Sequence, residues 1–487
     1  MALSSASPDR LGKPAAAGTA VVPSIVPPAP AVDLQWESDL ANPLRRITFY
    51  FALAAIYIRF SVVHEVLAVL LNLNLYLLYI VLPPAILGIV ATGGIRRTLA
   101  ARTSRYWLAF LGWLCLSAPF SAWRGGSATH VYMYAKAEYL MLFIVAGLAM
   151  TWKECRLVMY VLIFAAFTDL AVGRVFANQH SDRIDMALGM STIANSNDFA
   201  AHLILMMGFL LYLAIAPKMP SVLRLICVPA MLYGLFLVLG SGSRGAEVAL
   251  LVSFVFTFVM GSAKYRLLLI ASLPIAAFVI VAALPRTTLM RLSTLISDSG
   301  DAEVQGDAEG SSAVRRALFK KSLEFTVQHP VFGVGPGQFS SFEGGESKRE
   351  GKRGMWHETH NSLTQISSEC GIPALIFFLC AIVSAFRLAL KTYRLARANP
   401  ANADIAAATF CLMLGIVGFM SAIMFANFGY RFYEPALCGL CVVMYNAAQH
   451  EMAARKFKAA SSPPPAPLWA PAQPPIAPAP SFASKLR

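Results

Sequence analysis

Residues 329–339 (HPVFGVGPGQF) and 357–371 (HETHNSLTQISSECG) flank a charged spacer, and the apolar run 371–386 (GIPALIFFLCAIVSAF) begins at the last glycine of the second stretch. A helix needs about 20 apolar residues to cross a bilayer core of about 30 Å. The pattern therefore predicts a membrane helix preceded by a long polar loop, and the histidines and glycines in that loop indicate chemistry at the membrane surface.

The composition extends this interpretation to the whole chain. Of the 487 residues, 57% are hydrophobic and only 14% are charged, and the mean hydropathy is +0.60. These values exclude a soluble globular protein and predict an all-α polytopic membrane protein. Roughly twelve spans are expected, centred near Ala55, Leu82, Leu114, Leu142, Ile163, Leu205, Leu235, Val255, Ala276, Phe378, Leu414 and Val443. Arg59, His64 and Glu65 interrupt the apolar run of the first region and indicate a short or broken helix there.

Positive charge alternates between successive loops. Basic residues occupy the loops after the second, fourth, sixth, eighth and tenth spans, for example Arg102, Lys153 and Arg394. By the positive-inside rule these loops are cytoplasmic, which places both termini in the cytoplasm and the loop between the ninth and tenth spans in the periplasm. The net charge of +14 then reflects topology and attraction to membrane lipids, and its dispersal argues against a nucleic-acid partner.

The domain organisation follows from composition. Residues 1–45 and 449–487 are rich in Ala and Pro, and they are expected to be disordered cytoplasmic extensions. Residues 46–448 form the transmembrane domain, with residues 285–361 as its periplasmic catalytic loop. The CxxC pair Cys438 and Cys441 lacks two further ligands, so packing is favoured over a metal or redox site.

His360 is the candidate general base. HETH is one residue shorter than the HExxH spacing of zinc proteases, so no metal site and no cofactor are predicted. His360 precedes Asn361 and an apolar helix, which places it at a helix start on the membrane edge. An imidazole with an ordinary pKa near 6.5 is largely neutral there and can accept a proton from an alcohol. His357 is expected to be an exposed loop residue.

Other polar residues on the same face are candidates for anion binding. Arg244 in GSGSRGAEVAL lies on the outer side, where the positive-inside rule predicts few arginines, so a functional role is favoured. Arg315 and Arg316 begin a basic helical segment, and one inward guanidinium would offer forked donors to phosphate oxygens. Gly335 and Gly337 allow either a phosphate-cradling loop or a tight turn, and the turn is favoured because the spacing fits no phosphate-binding fingerprint.

In combination these motifs resemble the bacterial O-antigen ligase and O-antigen polymerase superfamily of membrane glycosyltransferases. The resemblance is carried by SGSRG around Arg244, by the block from Arg315 to HPVFGVGPGQF, and by THNSLTQISSECG with Glu369. ANSNDFAAHL around Asn197 is a weaker match. The motifs cover roughly residues 190–385 in family order.

The resemblance implies a GT-C-type fold and an inverting, metal-independent transfer of a glycan from undecaprenyl diphosphate to a glycan or lipid acceptor. Such an enzyme lies in the bacterial inner membrane with its site facing the periplasm. His360 would be the base, and Arg244 and Arg315 would hold the diphosphate. Further substrate contacts are assigned to Arg316, Asn361, Asn197, Gly335, Gly337 and Glu369.

Several alternatives stay open at this point. Arg316 could face the diphosphate in place of Arg315, and Asp298, Asp301 and Asp307 are rival carboxylate bases. The spacer EGGESKREGKRGMW is expected to be a flexible lid or an acceptor contact. A ligase and a repeat-unit polymerase share the same chemistry, and a lipid-linked glycan flippase or transporter is a third, less favoured class because no internal repeat is evident.

Overall fold

The computed structural model describes residues 34–181, 183–186, 192–193, 195–283 and 302–461. The first helices are α1 (Leu34–Ala41), α2 (Pro43–Phe60), α3 (Val63–Leu71), α4 (Leu77–Ala91), α5 (Gly94–Leu99), α6 (Arg102–Ser117), α7 (Arg124–Met133), α8 (Met141–Ala146) and α9 (Trp152–Phe176), with a π-helical turn at Tyr134–Tyr139. After a hairpin of β1 (Ala177–Ser181) and β2 (Arg183–Met186) come α10 (Ser196–Ile215), α11 (Ser221–Gly240), α12 (Arg244–Met260), α13 (Ala263–Ala283), α14 (Ala302–Gln328), α15 (Phe339–Arg349), α16 (Ser362–Arg397), α17 (Ala403–Ala422) and α18 (Tyr433–Ser461).

The helical membrane-protein class is confirmed. Each of the twelve predicted span centres falls inside a helix. Five segments of the described chain are long and apolar enough to cross a membrane, and they correspond to α9, α10, α11, α16 and the stretch Pro400–Phe425 that contains α17. The protein is therefore multi-pass, while the full number of spans and the GT-C topology stay predictions.

The first span is broken, as its charged residues indicated. Helices α2 and α3 meet at a bend of 67°, and together they are long and apolar enough for one broken span or a re-entrant loop. Val62 at the bend has a φ of +44°, a conformation that a β-branched residue rarely adopts. Arg59, just before the bend, pairs with Glu138 and lies 4.3 Å above the Phe432 ring. The charges that interrupt the apolar run thus find partners inside the bundle.

The centre of the bundle is closely packed where small residues meet. A Cβ on Gly208 of α10 would lie 2.8 Å from the Cα of Gly415 on α17, and a Cβ on Gly418 would lie 2.6 Å from Ser253 of α12. Without an aqueous driving force between membrane helices, such close backbone approach supplies the van der Waals contact that holds them together. Cys438 and Cys441 are buried free thiols in α18.

Part of the predicted periplasmic loop is folded into helices. Leu318 and Phe325 of α14 pack with Val334 and Phe339 in a small core of their own. The first half of the charged spacer forms α15, and Glu343 in that helix accepts backbone N–H bonds from Met355 and Trp356 at 3.0 and 2.9 Å. For this part of the spacer, which the sequence predicted to be a flexible lid or an acceptor contact, the structure shows an anchored helix, and the acceptor contact stays a prediction.

The helices extend past the predicted domain limits of 46 and 448. Helix α1 begins at Leu34, and α18 continues to Ser461. Backbone contacts divide the chain into two units, and one of them, Asp33–Met452, holds nearly all described residues. Of the other unit, only the end of α18 lies within the described ranges. The short β-hairpin after α9 is an element that the apolar pattern did not predict.

Candidate active site at the start of helix α16

His360 lies where the preceding loop enters α16. Its φ is +53°, in the left-handed region that few residues other than glycine adopt. The turn is held from both sides, because the Thr359 hydroxyl donates to the Asn361 carbonyl at 3.0 Å and to the Asn427 side chain at 3.1 Å. A rarely populated backbone conformation that is fixed by its surroundings is a frequent feature of functional sites.

The electrostatic surroundings of His360 favour the neutral ring. The pKa of His360 is lowered from its usual 6.5 to about 4, first by burial, then by the positive charge of Arg315 and to a smaller extent by His357. A histidine with this pKa carries no proton on one ring nitrogen at neutral pH, so that nitrogen can accept one. The sequence predicted a neutral imidazole with an ordinary pKa, whereas the structure reaches the same state through burial and a neighbouring cation.

Arg315 reaches this site from α14. Its side chain is half-buried, and its pKa is lowered by burial and further by repulsion from Arg244. The neighbouring Arg316 is exposed on another side of the helix. Of the two arginines between which the sequence could not choose, Arg315 is the one that faces His360.

Arg244 completes a cluster of three groups. It is the first residue of α12, and Ser243 caps that helix by accepting the Ala246 N–H at 3.4 Å. From this position the positive charge of Arg244 repels that of Arg315. It also interacts electrostatically with the Glu247 side chain, one turn further along α12. The structure thus links the three predicted catalytic residues electrostatically, because Arg244 of α12 acts on Arg315 of α14 and Arg315 acts on His360 at the start of α16.

The glycine motif forms a turn, and the N–H groups of its three glycines already have hydrogen-bond acceptors in the protein. The N–H groups of Gly333, Gly335 and Gly337 donate to the His329 carbonyl, the Glu369 carbonyl and the Glu369 carboxylate, at 3.0, 2.8 and 2.9 Å. Gly335 and Gly337 have φ values of +117° and +70°, and a Cβ on Gly335 would lie 1.9 Å from the Ser121 hydroxyl. A phosphate cradle needs available N–H groups, so the geometry supports the structural turn instead of the predicted substrate contact.

Asn361, Glu369 and Asn197 occupy scaffold positions. The Asn361 side chain accepts the Leu363 and Thr364 N–H groups at the start of α16 and donates to the Met424 carbonyl at 2.9 Å. Glu369 is fully buried, and backbone N–H groups donate to both of its oxygens. Asn197 is the second residue of α10, and its own N–H donates to the capping side chain of Asn195.

Sequence reasoning missed three residues around the glycine turn. Tyr430 donates to the Glu369 carboxylate, and its hydroxyl lies 3.1 Å from the Cys370 sulfur. His130 packs against Tyr430 at 4.7 Å between ring centroids and lies beside Gly337. Arg431 acts electrostatically on His130. Arg431 lies in a predicted outer loop, so the positive-inside argument that selected Arg244 applies to it as well.

The described residues bear on the rival carboxylate bases and on a metal site only in part. Asp298 and Asp301 lie outside the described residues, and only the backbone of Asp307 is described, in α14. Across the part of the chain that the structure covers, no three His, Cys, Asp or Glu side chains gather in a metal-binding group. The described site can therefore bind an anion at Arg244 and Arg315 and accept a proton at His360.

A comparison with known protein families gives a match over part of the chain. The family model described as O-Antigen ligase matches residues 229–379, from within α11 to within α16. No curated protein matches the chain. The matched segment contains Arg244, Arg315 and His360, together with the glycine turn between them. The comparison thus covers the helices that carry Arg244, Arg315 and His360 and leaves the first ten helices outside it.

Proposed function

We propose that the chain is a member of the O-antigen ligase and polymerase superfamily, whose family model matches residues 229–379, and that it transfers a glycan from polyprenyl diphosphate to an acceptor hydroxyl. The family supports a membrane glycosyltransferase that acts on a lipid-linked glycan and an acceptor. Undecaprenyl diphosphate is the proposed carrier, and a glycan or lipid is the proposed acceptor.

The proposal rests on the electrostatic interaction of Arg315 with both Arg244 and His360. Arg244 and Arg315 carry like charges that repel each other, so an anion that lies near both would be held by both. A diphosphate supplies that anion. A neutral imidazole beside Arg315 is then the group that can take a proton while negative charge develops on the leaving group.

The proposed reaction is a single displacement. The acceptor hydroxyl attacks the anomeric carbon as His360 removes its proton, so a new C–O bond forms on one side of the sugar. The bond from that carbon to the diphosphate oxygen breaks on the other side, and the carrier leaves as a diphosphate anion held by Arg244 and Arg315. This geometry inverts the anomeric centre, and the two guanidinium groups supply the positive charge that a divalent cation supplies in many transferases.

The site is proposed to face the periplasm from the inner membrane, with both termini in the cytoplasm. The alternation of basic loops supports this orientation, because the loops after the second and tenth spans carry Arg102 and Arg394 while the site lies in a loop of the opposite set. The carrier lipid would remain in the outer leaflet, with its diphosphate at the level of the helix ends.

Reconstitution with a defined polyprenyl-diphosphate glycan tests the proposal. Purified protein in vesicles should convert the donor to free polyprenyl diphosphate and a new glycoside. Transfer to a lipid acceptor would identify a ligase, while products that grow by whole repeat units would identify a polymerase. Movement of intact donor across the bilayer without a new glycosidic bond would overturn the proposal in favour of a flippase.

A further inference from the structure

Helix α16 is two helices joined at a break. Gly371 has φ +80° and ψ 175°, outside the helical region, and Pro373 follows it. Proline has no N–H, so the carbonyl four residues earlier, that of Glu369, loses its helical partner. We refer to the helix before the break, Ser362–Cys370, as the short helix. Because the helix is interrupted at Gly371, the apolar helix that follows does not by itself determine the direction of the short helix.

The glycine turn replaces the missing part of the helix. The Val334 N–H donates to the Ser368 carbonyl at 2.9 Å, and the Gly335 N–H donates to the Glu369 carbonyl at 2.8 Å. Beyond the break, the Ile372 N–H donates to the Pro330 carbonyl at 2.8 Å. The glycine turn thus satisfies the Ser368 and Glu369 carbonyls and docks the C-terminal end of the short helix, while the Trp113 indole of α6 donates to the Cys370 carbonyl at 3.0 Å.

The Glu369 side chain strengthens this docking. Its Oε2 accepts the Gly337 N–H at 2.9 Å, and its Oε1 accepts the Phe339 N–H at 3.1 Å, where α15 begins. The Tyr430 hydroxyl is a third donor, from the segment before α18. A buried carboxylate is costly unless several donors satisfy it, and here three donors come from two other segments. One side chain therefore connects the short helix to both of them.

The N-terminal end of the short helix is docked on the segment that precedes α18. The Phe428 N–H donates to the Ser362 hydroxyl at 2.9 Å, and the Gly429 N–H donates to the Gln365 side chain at 3.3 Å. His360 is two residues before the short helix begins. Its position relative to Arg315 consequently depends on these contacts and on the Glu369 contacts at the other end.

We propose that Glu369 is a positioning residue for His360, which holds the short helix so that the imidazole stays buried beside Arg315. The inference rests on the proposed function, because it gives His360 the role of base. The Glu369 carboxylate does not contact the reacting atoms, since its oxygens accept the N–H groups of Gly337 and Phe339.

Glu369→Gln tests the inference. Glutamine keeps one acceptor oxygen but turns an NH₂ group toward a backbone N–H, so two donors oppose each other. The short helix should loosen, and His360 should move away from Arg315 into water. Because burial, Arg315 and His357 hold the pKa of His360 at about 4, that displacement should raise the pKa toward 6.5.

The pKa of His360 can be measured without activity. Diethyl pyrocarbonate reacts with neutral imidazole, so the pH dependence of His360 modification, followed by mass spectrometry of the peptide, gives its midpoint directly. The midpoint should rise in Glu369→Gln, and more modestly in Tyr430→Phe, which removes a single donor. Where transfer is assayed, kcat should fall roughly 10–100-fold with donor KM nearly unchanged.

Glu154→Gln is the matched control. Glu154 also accepts two backbone N–H groups, from Met150 and Thr151 at 2.8 and 3.0 Å, and it pairs with the buried Arg45. It lies at the start of α9, in a predicted cytoplasmic loop, so its loss should destabilise the protein without moving the His360 midpoint. If Glu369→Gln accumulates poorly, the pH midpoint of His360 modification is measured in Tyr430→Phe instead.

Two outcomes distinguish failure of the positioning role of Glu369 from failure of the proposed function. An unchanged His360 midpoint in Glu369→Gln or Tyr430→Phe, with normal transfer by the unmodified protein, overturns the positioning role and leaves the function intact. Absence of transfer by the unmodified protein overturns the function, while the modification midpoint still decides whether Glu369 controls His360.

Discussion

The low pKa of His360 has a measurable consequence for the pH dependence of transfer. In the free enzyme the imidazole is neutral above its pKa of about 4. As the pH is lowered, kcat/KM should therefore stay constant down to about pH 4 and decline below it. A bound diphosphate adds negative charge, which raises the pKa, so the decline of kcat should occur at a higher pH. A pH–rate profile of the reconstituted enzyme checks both limbs. A kcat/KM limb near 6.5 would mean that His360 is exposed in solution.

Removing the imidazole should affect the chemical step and not donor binding. His360→Ala should reduce kcat by roughly 10²–10⁴-fold, the usual contribution of a general base. His357→Ala is the natural comparison, because His357 is exposed in the same loop and should have a mild effect. Single-turnover transfer and donor binding by the purified variants separate the two effects. Normal transfer by His360→Ala would exclude it as the base.

Arg315 and Arg316 form a matched pair with opposite exposure. Arg315→Ala should remove most activity, because a half-buried guanidinium that faces Arg244 is lost, whereas Arg316→Ala should retain most of it. Arg244→Ala should resemble Arg315→Ala, and lysine at either position should recover only part of the rate, since a point charge cannot make forked contacts. Donor KM and kcat of each variant are the measurements. Greater loss in Arg316→Ala than in Arg315→Ala would reverse the assignment.

The sequence singled out the three candidate residues that the structure links, but it did not reveal the contacts of their neighbours. Arginines on a predicted outer face and a histidine before an apolar helix stand out by residue type and position alone. The capping bonds of Asn361 and the docking bonds of Glu369 depend on a break at Gly371 and on a turn more than 30 residues away in the chain. No local pattern shows that a carboxylate in this position accepts backbone N–H groups.

Helix breaks determine how the elements of the site meet. The glycine turn fits against the short helix so closely that a Cβ on Gly333 would lie 2.2 Å from the Glu369 carbonyl carbon. Gly333 also has a φ of +67°, which costs an alanine about 1–2 kcal/mol before any overlap is counted. Gly333→Ala should therefore lower both the unfolding temperature and transfer.

Gly345→Ala is the control for that change. Gly345 lies inside α15, and a Cβ there would meet nothing within 4 Å. Alanine at a helical position should stabilise the protein by roughly 0.5–1 kcal/mol, because glycine loses more chain entropy on folding. Thermal unfolding of the two variants in detergent compares them. Equal unfolding temperatures for both would show that the turn is not packed as described.

Across the whole molecule, hydropathy located the helices but not their contacts. All twelve predicted centres lie in helices, because a bilayer requires apolar segments of nearly fixed length. The pairing of Arg59 with Glu138, and the His202 ring 3.0 Å from Asp169 and 2.9 Å from the Tyr433 hydroxyl, join helices far apart in sequence. Such pairs follow from the arrangement of the bundle, which the sequence of a single chain does not reveal.

The orientation of the bundle is the remaining prediction, and the proposed function depends on it. Lys348 is exposed at the end of α15 near the candidate site, and Arg102 is exposed at the start of α6 in a basic loop. If positive charge marks the cytoplasmic side, Lys348→Cys should react with a membrane-impermeant maleimide on intact spheroplasts, and Arg102→Cys should react only after permeabilisation. The unmodified protein, with its own cysteines, sets the background. Labelling of Arg102→Cys alone on intact spheroplasts would place the site in the cytoplasm, where an acceptor in the periplasm could not reach His360.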